Sequence, residues 1–98
     1  TDRFIFLGFP PHKKGRKTFF EEVAALRETA VLYESKHRIE KALTALAEHA
    51  KERNIVVARE LTKQFETLYR GTPGECLAAL KADDMRGEFV VVIAPVKA

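Results

Sequence analysis

Two apolar runs near the middle of the chain lie too close together for a helix to pass between them. Ile55-Val56-Val57-Ala58 is a β-branched strand closed by Arg59-Glu60, and Phe65–Arg70 alternates as a strand with one exposed face. The link between them is about six residues, whereas a parallel crossover needs about a dozen or more. These two strands therefore pair antiparallel. Elsewhere the pattern alternates strand and helix, which predicts α/β layering over one sheet. The two requirements together predict a mixed sheet.

The remaining elements fall on either side of that pair. Arg3-Phe4-Ile5-Phe6-Leu7 reads as a buried strand ended by Gly8-Phe9-Pro10-Pro11, and His12–Lys17 is a polar loop. Thr18-Phe19-Phe20-Glu21 has capping-box form and predicts a helix to about Glu28 with Phe19, Val23 and Leu26 inward. Ala30-Val31-Leu32-Tyr33 is a short strand. Ser35 is the expected N-cap of the longest helix, with Lys36 at its first position and Ile39, Leu43, Leu46 and Ala50 on the apolar face. Gly71-Thr72-Pro73-Gly74-Glu75 is the clearest punctuation: Thr72 as N-cap, Pro73 at N1 and Glu75 completing a capping box. That helix turns Cys76, Leu77 and Leu80 inward and ends near Ala82. Asp83-Asp84-Met85-Arg86-Gly87 then turns into Glu88–Ala94, the most hydrophobic strand. The order is β-α-β-α-β-β-α-β, an α/β domain with a mixed sheet of about five strands and three helices.

Composition bounds the function. The 98 residues allow one domain, residues 1–98, and 46% apolar content suits a globular chain. The longest apolar run, Phe89–Pro95, is far short of the ~20 residues of a membrane span, so no membrane association is expected. A lone cysteine, Cys76, fits a reducing, cytoplasmic compartment. The chain begins at Thr1 without Met and enters a strand almost at once, which predicts a piece of a longer protein.

The formal charge of +3 is localised. Lys13, Lys14, Arg16 and Lys17 carry four charges within five residues, leaving 13 cations against 14 anions elsewhere. Clustered cations beside aromatic residues suit a nucleic-acid backbone, though a solvated loop has the same composition. Tyr33-Glu34-Ser35-Lys36-His37-Arg38 is a strand end running into a helix start, where ligands gather in open α/β sheets. Tyr33 is able to stack on a ring, and Glu34 to accept hydrogen bonds from hydroxyls or act as a base; on pattern alone, simple N-capping by Ser35 with Glu34 as a solvated neighbour is the favoured reading. Arg59-Glu60-Leu61-Thr62-Lys63 is a second polar strand end, and the two are expected to share one edge of the sheet. His37 and Glu40 stand three apart with no second ligand pair, so no metal site is expected. Cys76 belongs to packing rather than catalysis.

Several segments, taken together, resemble the ribosomal-RNA-methylating branch of the tetrapyrrole (corrin/porphyrin) methylase superfamily. They are Phe6-Leu7-Gly8-Phe9-Pro10, Tyr33-Glu34-Ser35-Lys36-His37-Arg38, Val56-Val57-Ala58-Arg59-Glu60-Leu61-Thr62-Lys63, Arg70-Gly71-Thr72 and Gly87-Glu88-Phe89-Val90-Val91-Val92-Ile93. The resemblance covers essentially the whole chain. It departs at Lys36, where the branch usually has Pro. It implies the second subdomain of the tetrapyrrole methylase fold and an S-adenosylmethionine-dependent enzyme methylating a cytidine ribose 2′-hydroxyl of small-subunit ribosomal RNA, as a homodimer in the full-length protein. It further implies that Leu7, Gly8, Phe9, Pro10, Tyr33, Glu34, Val57, Ala58, Glu88 and Phe89 form the far wall of a shared cofactor cleft. Lys13, Lys14, Arg16, Lys17, Arg59 and Lys63 become candidates for rRNA phosphates, and Glu34 and Glu60 for a base. A superfamily enzyme acting on a small molecule and a non-catalytic RNA-binding module are the alternatives.

Overall fold

The computed structural model describes residues 3–61, 64–83 and 86–96. Eight elements follow the expected order: β1 (Phe4–Gly8), α1 (Arg16–Ala25), β2 (Thr29–Ser35), α2 (Ile39–His49), β3 (Ile55–Leu61), β4 (Gln64–Gly71), α3 (Pro73–Lys81) and β5 (Glu88–Ile93). The five strands form one sheet in the order β1-β2-β5-β3-β4. β1 and β2 are parallel, while β5 runs antiparallel to both β2 and β3, and β3 pairs antiparallel with β4. The sheet is mixed, as the short β3–β4 link requires.

Strand alternation divides the sheet into two unlike faces. Ala30, Leu32 and Glu34 of β2, Ile55, Val57 and Arg59 of β3, and Phe89, Val91 and Ile93 of β5 are all buried. The apolar residues among them meet Phe20 and Val23 of α1, Ile39, Leu43 and Leu46 of α2, and Cys76 and Leu80 of α3 in one core. α1 packs on α2 and α2 on α3, so the helices form a single layer. The other face carries Phe4, Phe6 and Tyr33, which are exposed, with Val31, Val56, Ala58, Val90 and Val92 between them. Among the described residues no element covers it.

Two helix starts differ from expectation. α1 begins at Arg16, so Thr18 lies within the helix and caps nothing. Gly15 is the N-cap, in the left-handed region at φ 84°, and the Phe19 amide donates to its carbonyl at 2.9 Å. Arg16 fixes that start by donating to the Pro11 carbonyl at 3.0 Å. At its other end α1 stops at Ala25 rather than near Glu28. Arg53 takes up the carbonyls there, donating to Leu26 O at 2.9 Å and Ala24 O at 3.4 Å, and Leu26 is extended. Ser35 is likewise no N-cap. β2 runs on to Ser35 because β5 pairs Phe89 with Glu34 and Glu88 with Ser35. The chain turns through 36–38, Arg38 is the N-cap of α2, and Lys36 precedes the helix rather than opening it. The Thr72–Glu75 capping box and Pro73 at N1 stand as expected.

Candidate functional site

The topology brings the carboxyl ends of β1, β2 and β3 and the amino end of β5 to one edge of the sheet. Register fixes the neighbours: Glu34 lies beside Phe89, Ser35 beside Glu88, and on the other side of β5 Arg59 lies beside Phe89 and Glu60 beside Glu88. A hollow of about 220 Å³ opens here, lined by Phe9, Tyr33, Glu34, Glu60, Glu88, Phe89 and Val90. The two polar strand ends do share one cleft.

Aromatic rings make one flank. Tyr33 contacts Phe6 at 5.2 Å and Phe9 at 5.7 Å between ring centroids, both edge to face. Such pairs hold a ring in place while leaving its remaining surface exposed. Carboxylates make the other flank. Glu60 and Glu88 sit directly opposite each other on β3 and β5, an arrangement that costs stability through like-charge repulsion. Neither has an ion pair among the described residues. The hollow therefore offers apolar ring faces beside two carboxylates that have no ion pair among the described residues.

Glu34 is different. It is 2% exposed, its Oε2 lies 3.4 Å from Nη2 of Arg16, and its Oε1 accepts the Ser35 amide at 3.0 Å. Arg16 also covers the Phe20 ring at 5.1 Å. The pair therefore staples the β1–α1 loop to the end of β2. Arg16 is half-buried, in contrast with Lys13, Lys14 and Lys17, which are exposed. Arg59 is 7% exposed, on the helix side of the sheet, and donates to Thr67 Oγ1 at 3.1 Å. Lys63 lies outside the described residues.

Of the ten residues expected at the cofactor wall, Phe9, Tyr33, Glu34, Glu88 and Phe89 line the hollow. Leu7, Gly8 and Pro10 belong to the chain that carries Phe9 to it, Ala58 pairs with Val90 across the strands, and Val57 is buried on the helix side. Val90 was not singled out by the sequence reading. Counting by twos from Glu88 would have found it, because alternate residues share a face. The Arg16–Glu34 staple spans 18 positions and leaves no local pattern. A larger groove, about 570 Å³, lies at the opposite end of the sheet, lined by Ala24, Arg53, Asn54 and Ala94 among others. Arg53 there ties α1 to the end of β5 through backbone carbonyls, donating twice to Ala94 O at 3.0 and 2.6 Å, which is a structural tie.

Comparison with known proteins bears on this geometry. Residues 2–77 match the family model described as Tetrapyrrole (Corrin/Porphyrin) Methylases. The chain is 41% identical over 91 residues to ribosomal RNA small subunit methyltransferase I of Bacillus subtilis, covering 92% of this chain and 31% of that protein. It is 43% identical over 95 residues to the protein of that name from Neisseria meningitidis serogroup A, covering 94% and 33%. The chain thus spans about a third of the length of these relatives. Among solved structures, a cobalamin biosynthetic enzyme, cobalt precorrin-4 methyltransferase, superposes with a TM-score of 0.67 at 17% identity, over 96% of this chain and 41% of that one. At that identity the likeness is one of fold.

Proposed function

Because this chain belongs to the tetrapyrrole (corrin/porphyrin) methylase family, we propose that it is the second subdomain of an S-adenosylmethionine-dependent methyltransferase. The hollow at the sheet edge forms one wall of the cofactor site, and the other subdomain supplies the facing wall. The observation that carries this reading is the convergence of four separate segments on that hollow. Its volume, about 220 Å³, falls below the ~300–1,000 Å³ of a complete small-molecule pocket, as expected of half a site. The lining suits the ligand. Phe9 and Tyr33 offer faces for a flat base, and Glu60 and Glu88 offer charge to a cation and acceptors to ribose hydroxyls.

Bound there, S-adenosylmethionine supplies an electrophilic methyl group on a positively charged sulfur. The chain's own part is binding and orientation. Glu60 and Glu88 lose their mutual repulsion when a cation lies between them, and the aromatic flank excludes water from one side. Of the two carboxylates weighed as bases, Glu60 is the better placed, since Glu34 is committed to Arg16 and to the Ser35 amide.

The acceptor we propose is a cytidine 2′-hydroxyl of small-subunit ribosomal RNA, in a cytoplasmic homodimer. Support comes from identities of about 40% to rRNA methyltransferases and from the exposed Lys13, Lys14 and Lys17 on the chain that follows Phe9. Arg16 and Arg59 serve this surface by fixing the elements that carry it. No helix among the described residues is long and apolar enough to cross a membrane.

The test is Glu88→Gln in the full-length protein. Titration calorimetry with S-adenosylhomocysteine, and with S-adenosylmethionine for the charge term, should show at least about tenfold weaker binding, the scale of one lost charge-assisted contact. Methylation of small-subunit rRNA should fall in parallel. Unchanged affinity for both ligands would remove Glu88 from the site and the hollow with it.

A further inference from the structure

The β1–α1 loop carries the charge run that the sequence displays, but it does not stand alone. His12 at its start and Arg38 after β2 are 26 positions apart, and Nη2 of Arg38 lies 3.1 Å from Nδ1 of His12. The contact requires the imidazole to accept through that nitrogen. The second side-chain partner of Arg38 among the described residues is Ser35, whose hydroxyl accepts from Nη1 at 3.4 Å. Neither partner is a carboxylate. Arg38 thus forms no ion pair among the described residues, unlike Arg16, whose charge is spent on Glu34.

The contact joins two basic segments into one surface. Lys13, Lys14, Lys36 and His37 are exposed around it, and neither residues 8–18 nor residues 35–39 include an acidic side chain. Of the two acids that flank residues 35–39, Glu34 is buried under Arg16, and Glu40, exposed in the first turn of α2, lies 3.7 Å from Lys81 Nζ. Cations held together without counter-charge repel one another, and an anionic polymer laid across them relieves that repulsion while releasing its own counterions. A guanidinium without a carboxylate partner retains donors in the planar fork that matches phosphate oxygens.

We infer that Arg38 and Lys36 of the β2–α2 turn, joined through His12 to Lys13 and Lys14, form a second phosphodiester-binding segment that continues the RNA surface around the mouth of the hollow. Arg38 takes a phosphate through its fork and Lys36 a neighbouring one as a point charge. The segment carries no base readout, so it positions the strand without selecting its sequence. The place of Lys36 in the turn, ahead of α2, frees its side chain for this role. The inference rests on the proposed RNA-methylating reading and adds to it a defined path for the backbone.

The experiment measures RNA affinity of the full-length protein against salt, with small-subunit ribosomal RNA and with an oligouridylate as probes. The turn variant Lys36→Gln with Arg38→Gln is compared with a loop variant, Lys13→Glu with Lys14→Glu. On the oligouridylate, the turn variant should lower the log–log salt slope by about 0.7 per lost phosphate contact and weaken binding about fivefold per contact at 0.1 M salt. On both RNAs the relative loss should be similar, and S-adenosylhomocysteine affinity should be unchanged. Arg38→Lys alone should keep the slope while losing part of the affinity, because the charge stays and the fork goes. If the loop variant loses affinity and the turn variant does not, the second segment is refuted and the RNA reading stands. If neither loses affinity, both are refuted. A turn variant that also loses cofactor affinity would make 36–38 a structural support of the hollow, and that too would overturn the inference.

Discussion

Charge at a single residue means different things according to burial, and the four clustered cations of the first loop illustrate it. Lys13, Lys14 and Lys17 are exposed and free to meet a partner, while Arg16 is drawn under the loop by Glu34, which is 2% exposed. A carboxylate so buried needs its counter-charge. Replacing Arg16 by Met should therefore destabilise the protein by about 3 kcal/mol in urea unfolding, and Arg16→Met combined with Glu34→Leu should recover much of that loss. Additive losses in the double variant would show that the two residues do not act as a pair. Cys76 makes the complementary case. Burial first, and the charge of neighbouring Glu75 second, push its thiol up to about 11. At pH 8 its reaction with an aromatic disulfide should run about a hundredfold slower than that of an unfolded control, since only the thiolate attacks. A rate equal to the control would place Cys76 at the surface and undo its assignment to the core.

Among the elements, α3 is where local sequence and structure agree most closely. Thr72 Oγ1 accepts from the Glu75 amide at 3.3 Å, and Glu75 Oε1 accepts from the Thr72 amide at 2.9 Å. Gly71 precedes the cap at φ 140°, a backbone conformation strained for any side chain, and an added Cβ would stand 2.7 Å from Glu75 Oε1 and push that carboxylate aside. Thr72→Ala should cost about 1 kcal/mol. The box is also sensitive to acid. Hydrogen bonds from the Thr72 backbone and then its side chain hold the Glu75 carboxyl below its usual 4.5. A depressed folded value means that the contribution is present above the unfolded value and is lost as pH falls through the folded one. Exchange protection of the Thr72 amide should decline over that acid range and stay flat in Glu75→Gln; decline in both would assign it to global unfolding. This helix was legible because its signals lie within five residues. α1 and α2 began elsewhere than their best local caps because contacts distant in sequence decided the matter: Arg16 with Glu34 in one case, and pairing of β5 with Glu34 and Ser35 in the other. The strands were legible from β-branched runs, whereas the hollow needed the insertion of β5 between β2 and β3, which periodicity does not encode.

At the scale of the molecule, the single helix layer leaves one face of the sheet bare, with Phe4 68% and Phe6 56% exposed, close to the aromatic flank of the hollow. Exposed apolar area of this kind, rimmed by polar groups, is characteristic of a surface that meets another body. The chain belongs to the tetrapyrrole methylase family and spans about a third of the length of the relatives it matches. The candidate groups gather at one end: the hollow with Glu60 and Glu88, which have no ion pair among the described residues, and the exposed lysines on the chain that follows Phe9. The Arg53 tie holds the opposite end. This polarity makes the account open to direct observation by mapping amide chemical-shift changes in the full-length, isotopically labelled protein as S-adenosylhomocysteine is added. Shifts should concentrate at Phe9, Tyr33, Glu34, Glu60 and Glu88 to Val90, leaving Arg53, Asn54 and Ala94 unmoved. Saturation of the protein with shifts confined to the Arg53 groove, or absent from this chain altogether, would contradict the claim that the hollow is a wall of the cofactor site.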